Sequence, residues 1–301
     1  MAEQTVNSFR DLKLLARTET RGFQWPTLVL SATVISMTLL STWLAVTDRI
    51  PMLVAMVINT FFMAQGYTAV HECAHRNMNG RHKKLNWVND VFGCAGFVFT
   101  LHSFTVHSHV HRLHHSDIND IRRDTDAWVS EAPNFWNALA RSLVFYFYTH
   151  WYFFKIYPLI ANKRKFLIRA FLETAIPFGI AIWLSAIGYG REVLLLWVIP
   201  TILTFSVVSM MIDWIPHHVP EHISDIDHTL IRVPSKTWRG WLMKWAYGFH
   251  NYHLIHHLVP NVPWYAQERT FEKAEAFLKA NGARIKYPDE RGAQAAPMPA
   301  E

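Results

Sequence analysis

Residues 22–47, GFQWPTLVLSATVISMTLLSTWLAVT, carry no charged side chain, and after Asp48-Arg49 neither do residues 50–70, IPMLVAMVINTFFMAQGYTAV. The second stretch runs directly into His71-Glu72-Cys73-Ala74-His75. A helix rises about 1.5 Å per residue, so roughly 20 apolar residues cross the ~30 Å hydrocarbon core of a bilayer. Both stretches are long enough, and Asp48, Arg49 and Pro51 make the tight turn between them. A span that ends on paired histidines delivers imidazoles to the membrane surface.

Two further stretches follow the same logic. Residues 171–187 are apolar apart from Glu173, and residues 193–212 are charge-free, with Gly188-Tyr189-Gly190-Arg191-Glu192 between them. The expected fold is all-α: an integral membrane protein with four transmembrane helices in two hairpins, plus interfacial helices and a cytoplasmic histidine-rich di-metal cap. Residues 85–106, interrupted by Asp90, and the aromatic-rich residues 135–160 are read as interfacial, where Trp and Tyr rings prefer to sit. One extra hairpin there is the alternative, and it leaves the sidedness unchanged. Of 29 Lys and Arg, only Arg49 and Arg191 fall in the short turns. The remainder mark the other side, which also carries the histidines, as cytoplasmic, in a bacterial inner or thylakoid membrane. We divide the chain into a cytoplasmic N-terminal arm (1–21), which lacks the features of a cleavable signal, one membrane domain (22–286) and a disordered tail (287–301).

Composition agrees. The 301 residues are 51% hydrophobic, 14% aromatic and only 17% charged, against roughly 25% charged in soluble domains. This excludes disorder, collagen and coiled coil. A mean hydropathy of +0.06 leaves room for a sizeable aqueous part. Two cysteines exclude a disulfide framework and any four-thiolate metal site. The net charge of +6 is assigned to an anionic membrane surface rather than nucleic acid.

Eighteen histidines stand out against 23 acidic residues. His71 and His75 form one box, His111, His114 and His115 a second, His253, His256 and His257 a third. On a helix, residues three and four apart share a face, so each box is read as one compact patch. Imidazole suits iron, copper, nickel and zinc, and this many imidazoles exceed one ion's needs and suit two. Asp213 and His217, four apart where the last span meets the cytoplasmic side, add a further imidazole and a ligand or water-holding carboxylate. Pro216 distorts the helix between them. A lone interfacial histidine is usually only a polar residue, and His82, His102, His150, His218, His222, His228 and His250 receive that reading. His107 and His109 are taken as supporting or solvated. Among Asp117, Asp120, Asp124 and Asp126, one or two acids are expected to receive the outer N–H of a metal-bound imidazole.

His71-Glu72-x-x-His75 also matches the H-E-x-x-H signature of zinc proteases. An intramembrane zinc metalloprotease would leave the two H-x-x-H-H boxes unexplained, so Glu72 is read as a supporting or ion-pairing group and Cys73 as packing. A bis-histidine haem carrier needs lone facing histidines, not triplets. Many imidazoles with few carboxylates suit two iron ions (Fe2+/Fe3+) with O2 as co-substrate, acting on a lipid that enters sideways from the bilayer. No G-x-G-x-x-G nucleotide motif is present, so electrons come from a separate carrier.

Four stretches resemble the membrane fatty acid desaturase and hydroxylase superfamily: HECAHRNMNGRHKKLNWVNDVFG (71–93), VHRLHHSDINDIRRDTDAW (110–128), DWIPHH (213–218) and NYHLIHHLVPNVPWY (251–265). The likeness is greatest to β-carotene hydroxylases of the cyanobacterial type. It implies a non-haem di-iron monooxygenase that hydroxylates the β-ionone ring of carotenoids, fed by ferredoxin. It implies ligand roles for His71, His75, His111, His114, His115, His217, His253, His256 and His257, with Asp213 where relatives hold a water. The alternative within the superfamily is an acyl-lipid desaturase.

Overall fold

The computed structural model describes residues 6–20, 22–120, 122–156, 160, 163–218 and 226–288, so Arg21, His222 and the expected tail beyond Pro288 lie outside it. Helix α1 (Phe9–Glu19) starts at Ser8, whose Oγ accepts from the Asp11 N–H at 3.2 Å. Such a cap satisfies a backbone donor that the helix itself leaves free. Helix α2 (Trp25–Val46) takes Pro26 in its first turn, where a missing N–H costs nothing. The chain then turns through Asp48, at φ 56°, and Pro51 opens α3 (Met52–Ala74). Their seam holds a buried Asn59, which accepts from Ser41 and donates to Thr42 Oγ1 at 3.0 Å and to the Leu196 carbonyl at 2.9 Å. An unpaired amide in hydrocarbon costs several kcal/mol, so this fully paired one fixes α2, α3 and the Leu196 segment in one register.

Helices α4 (Trp87–Val98) and α5 (Phe104–Ser116) follow, then a short α6 (Ala127–Ser130), α7 (Phe135–Ile156) and α8 (Lys163–Leu184). At ~18 Å, the 12 residues of α4 are too short to span. The run beyond α8 includes α9 (Gly190–Val193), α10 (Ile199–Val208) and α11 (Ile215–His217), with wider π-turns between them. Three segments are long and apolar enough to cross a membrane: residues 25–46, 52–74 and 163–217. The third is 55 residues long and is interrupted at Gly188, whose φ of +107° no helix contains. Glu173, the exception in an apolar stretch, accepts from Ser103 Oγ, Thr105 N and Thr105 Oγ1, each at 2.7 Å, and from Cys94 Sγ at 3.3 Å. It thereby holds the start of α5, the helix that carries the second histidine box.

The aqueous cap contains β1 (Leu230–Arg232), α12 (Trp238–Ala246), α13 (His253–Leu258), α14 (Gln267–Ala280) and β2 (Arg284–Lys286). The strands pair in parallel, Ile231 opposite Ile285, a small departure from the all-helical expectation. The N-terminal arm is not free either. Leu12 and Leu15 of α1 join Ile231, Leu254, Phe271 and Leu278 in one buried core. By contrast, Trp25, Leu53, Phe171, Ile182 and Trp183 are exposed, an apolar surface that suits lipid.

Candidate metal centre

Each histidine box is placed by a different local device. His71 sits in the last turn of α3 and His75 caps that helix. Gln65 Nε2 donates to the Trp245 carbonyl at 2.9 Å, and Thr68 Oγ1 to the Gly248 carbonyl at 2.6 Å. Gly248 and Phe249 are both left-handed, at φ 50° and 65°. Helix α3 therefore pins the turn that aims α13. His217 ends α11, beyond a π-turn at residues 209–214.

The nine histidines converge in two sets. His71, His75, His111, His115 and His256 form one, and His114, His217, His253 and His257 the other; within each set the ring nitrogens lie within 4.8 Å of one another. The boxes are thus not compact patches, as the spacing suggested. His111 and His115 point to the first set and His114 to the second, while His253 and His257 point to the second and His256 to the first. The physical reason is helical pitch. Residues i and i+4 lie about 40° apart and i+3 and i+4 about 100° apart, so an H-x-x-H-H box reaches two places at once.

The spacing fits metal ligation. Nε2 atoms approach at 2.7 Å (His75–His111), 3.2 Å (His111–His115) and 2.8 Å (His115–His256) in the first set. In the second they lie at 2.9 Å (His217–His253) and 3.0 Å (His253–His257). A metal–nitrogen bond of about 2.1 Å puts ligands at right angles about 3 Å apart. His71 Nε2 is buried with no hydrogen-bond partner among the described residues, aimed into a set of nitrogens. Burial and neighbouring charge hold His75 down to about 3. Burial and adjacent imidazoles hold His111, His115, His253, His256 and His257 below the usual histidine range. Neutral rings offer lone pairs.

His114 is the exception. Burial would lower it, but the Asp124 carboxylate, 2.9 Å from its Nδ1, and Asp126 carry it up to about 9. Asp124 is fully buried and is itself held by the Asn119 and Asp126 N–H groups, each at 2.9 Å. This is the carboxylate expected behind a ring that would ligate a metal. Asp117 and Asp120 instead face Arg123 and Arg122. Glu72 accepts from Asn77 Nδ2 at 3.0 Å and from the Trp264 N–H at 3.1 Å. So engaged, it latches α3 to the loop after the third box. Cys73 is buried packing.

One histidine has closer contacts with the sets than expected. His250 Nε2 lies 3.5 Å from His71 Nδ1, and its own Nδ1 donates to the Gly248 carbonyl at 2.8 Å. The signal was its place three before His253. His107, expected to be supporting or solvated, stacks on His111 with ring centroids 5.6 Å apart. Asp213 belongs to neither set. It lines a cavity of about 70 Å3 together with His111, Tyr67, Thr125 and Asp126. The π-turn that contains Asp213 breaks the four-residue stacking on which its pairing with His217 was expected to rest.

Residues 48–288 match the model of the fatty acid desaturase family. An sn-1 oleoyl-lipid 12-desaturase of Picosynechococcus sp. is 22% identical over 201 residues, covering 64% of this chain and 47% of that protein. A fatty acid desaturase of Bacillus subtilis is 23% identical over 240 residues, covering 73% of this chain and 67% of that protein. The chain thus spans about half the length of the first relative and two thirds of the second. With the family model matched over most of its residues, the chain belongs to the fatty acid desaturase family.

Proposed function

We propose that this protein is a membrane oxidoreductase in which His71, His75, His111, His115 and His256 hold one iron ion and His114, His217, His253 and His257 a second. Two bound irons would supply O2 chemistry strong enough to attack an unactivated C–H bond. The protein's residues do the rest. Asp124 fixes the His114 ring, Glu72 fixes the end of α3, and His250 backs His71. Asp213, on the cavity wall, is the candidate for holding a water beside the centre. The single observation that carries this reading is the division of nine histidines into two convergent sets.

The substrate is a lipid-soluble chain. The cavity that His111 lines is walled by Val70, Phe97, Phe205 and Val208, which suits an apolar chain. The acyl-lipid desaturase among the relatives favours an acyl chain. Hydroxylation of a carotenoid β-ionone ring is the second reading, carried by the resemblance of residues 251–265. Electrons come from a separate carrier such as ferredoxin, drawn to the basic face.

We also propose four membrane passes, with the third segment folded back at Gly188. Unbroken, its 55 residues would reach ~80 Å, far beyond the ~30 Å of hydrocarbon. Leu196 packs with Ala45 and Ala55 at the α2–α3 turn, while His217 lies with the other histidines. The histidine side is cytoplasmic by its excess of basic residues.

Expression in bacteria that make β-carotene, followed by pigment and acyl-chain analysis, tests the reading. New double bonds in the acyl chains support desaturation, and zeaxanthin supports ring hydroxylation. Iron-loaded protein that yields neither counts against both. About one zinc and no iron per chain would defeat the di-iron centre and revive a zinc hydrolase.

A further inference from the structure

Helix α12 turns its apolar face away from the cap. Trp238, Trp241, Leu242 and Trp245 recur at i, i+3, i+4 and i+7, the spacing that gathers apolar side chains on one side of a helix. In a soluble domain that side would turn inward. Here Trp238, Trp241 and Leu242 are 67%, 59% and 48% exposed. The opposite face is the one that packs. Gly240 is buried close against the Ser235 carbonyl, Lys244 Nζ donates to Glu268 at 2.5 Å, and Arg232 lies over the Tyr247 ring.

Trp245, half-buried at the end of the stripe, fixes the level at which it lies. Its ring stacks on Phe61 of α3 with centroids 6.3 Å apart, and its carbonyl accepts from Gln65 Nε2 at 2.9 Å. Phe61 itself faces outward from that helix, 43% exposed. At 1.5 Å rise per residue, Gln65 stands about 20 Å along α3 from Met52 and about 9 Å short of His71. With ~30 Å of hydrocarbon to cross, this level is the histidine-side layer of the bilayer and not the water beyond it. The stripe of α12 thus continues the outward apolar surface of α3 at the depth that indole rings prefer. Lys236 and Arg239 are exposed beside it, cations that suit anionic headgroups.

We propose that α12 is an in-plane helix seated in the membrane interface, with Trp238, Trp241 and Leu242 among phospholipid acyl chains and Lys236 and Arg239 at anionic headgroups. An isolated helix of this length is marginal in water. Burial of its stripe in lipid supplies the apolar contact that the cap withholds. The contact bears on the metal centre, because α12 leads through Gly248 and Phe249 into the third histidine box. This inference rests on the membrane-spanning reading of α3 and adds a lipid contact outside the spans.

The test uses the full-length protein in vesicles of phosphatidylcholine and phosphatidylglycerol. The photocrosslinker p-benzoylphenylalanine replaces in turn Trp241, Val57 on the exposed side of α3 and Glu272 on the exposed side of α14. Irradiation followed by mass spectrometry reads the adducts. Replacement of Trp241 should give phospholipid adducts at a yield like that of Val57, and replacement of Glu272 none. Trp238 serves in the same way if the Trp241 variant fails to fold. Crosslinks between chains at Trp241 in place of lipid overturn the proposal in favour of a second copy. Adducts at Val57 without any at Trp241 overturn it in favour of water. Lipid adducts at neither overturn the spanning reading, and the interfacial helix with it. Lys236→Glu with Arg239→Glu should shift the Trp241 adducts from phosphatidylglycerol toward phosphatidylcholine, and an unchanged ratio overturns the headgroup contact.

Discussion

A carboxylate 2.9 Å from His114 Nδ1 decides which way that ring faces. Asp124→Asn keeps the volume but puts an amide donor among three N–H donors. We predict a loss of about 10- to 100-fold in metal affinity, read by chelator competition; unchanged affinity would remove Asp124 from the centre. His256→Ala should abolish turnover while the protein still inserts, because its Nε2 bridges toward His115 at 2.8 Å. Full activity with full iron in that variant would deny it a ligand role. The nine histidines were legible because their spacings are local facts. His250 was not, since a lone histidine takes its meaning from what packs against it.

At the scale of elements, Glu173 shows what a charge in an apolar helix is for. It receives three bonds of 2.7 Å from the first turn of α5 and the residue before it. Glu173→Gln must turn an N–H toward one of those donors and should destabilise the protein by ~1–3 kcal/mol. Thermal unfolding in detergent measures this, and an unchanged midpoint would mean that the cap is dispensable. The sequence marked Glu173 only as an exception, because its partners lie about seventy residues away. Helices α2 and α3 were legible as spans from their missing charges. The π-turns around Asp213 were not, since they depend on how α10 packs between α3 and α7.

The whole molecule carries a pH signature. In metal-free protein, His75 and His107 lie near 3 and His250 near 4. Unfolded histidines take up protons near 6.5, so the unfolded chain binds more protons between about 6.5 and 3, and stability falls as the pH drops through that window. His114, raised to about 9, acts oppositely. Its contribution is complete below 6.5 and is lost as the pH rises through 9. We predict a melting temperature of the metal-free protein that peaks near neutrality, and a flat profile from acid to mild alkali would contradict the burial described. The four-pass arrangement predicts that a cysteine at Tyr189 is labelled from the side opposite to one at Arg239; labelling from one side would unmake the hairpin.

The amino-acid sequence alone determined that this chain carries helices apolar and long enough for a membrane and that its histidines come in metal-binding numbers. Those properties follow from charge excluded from hydrocarbon and from helical spacing, both of which act over a few residues. Only the tertiary structure decided which imidazole joins which set and that Asp213 stands apart on a cavity wall. These depend on contacts between segments more than a hundred residues apart, such as His115 with His256, and packing at that range is written in no local pattern.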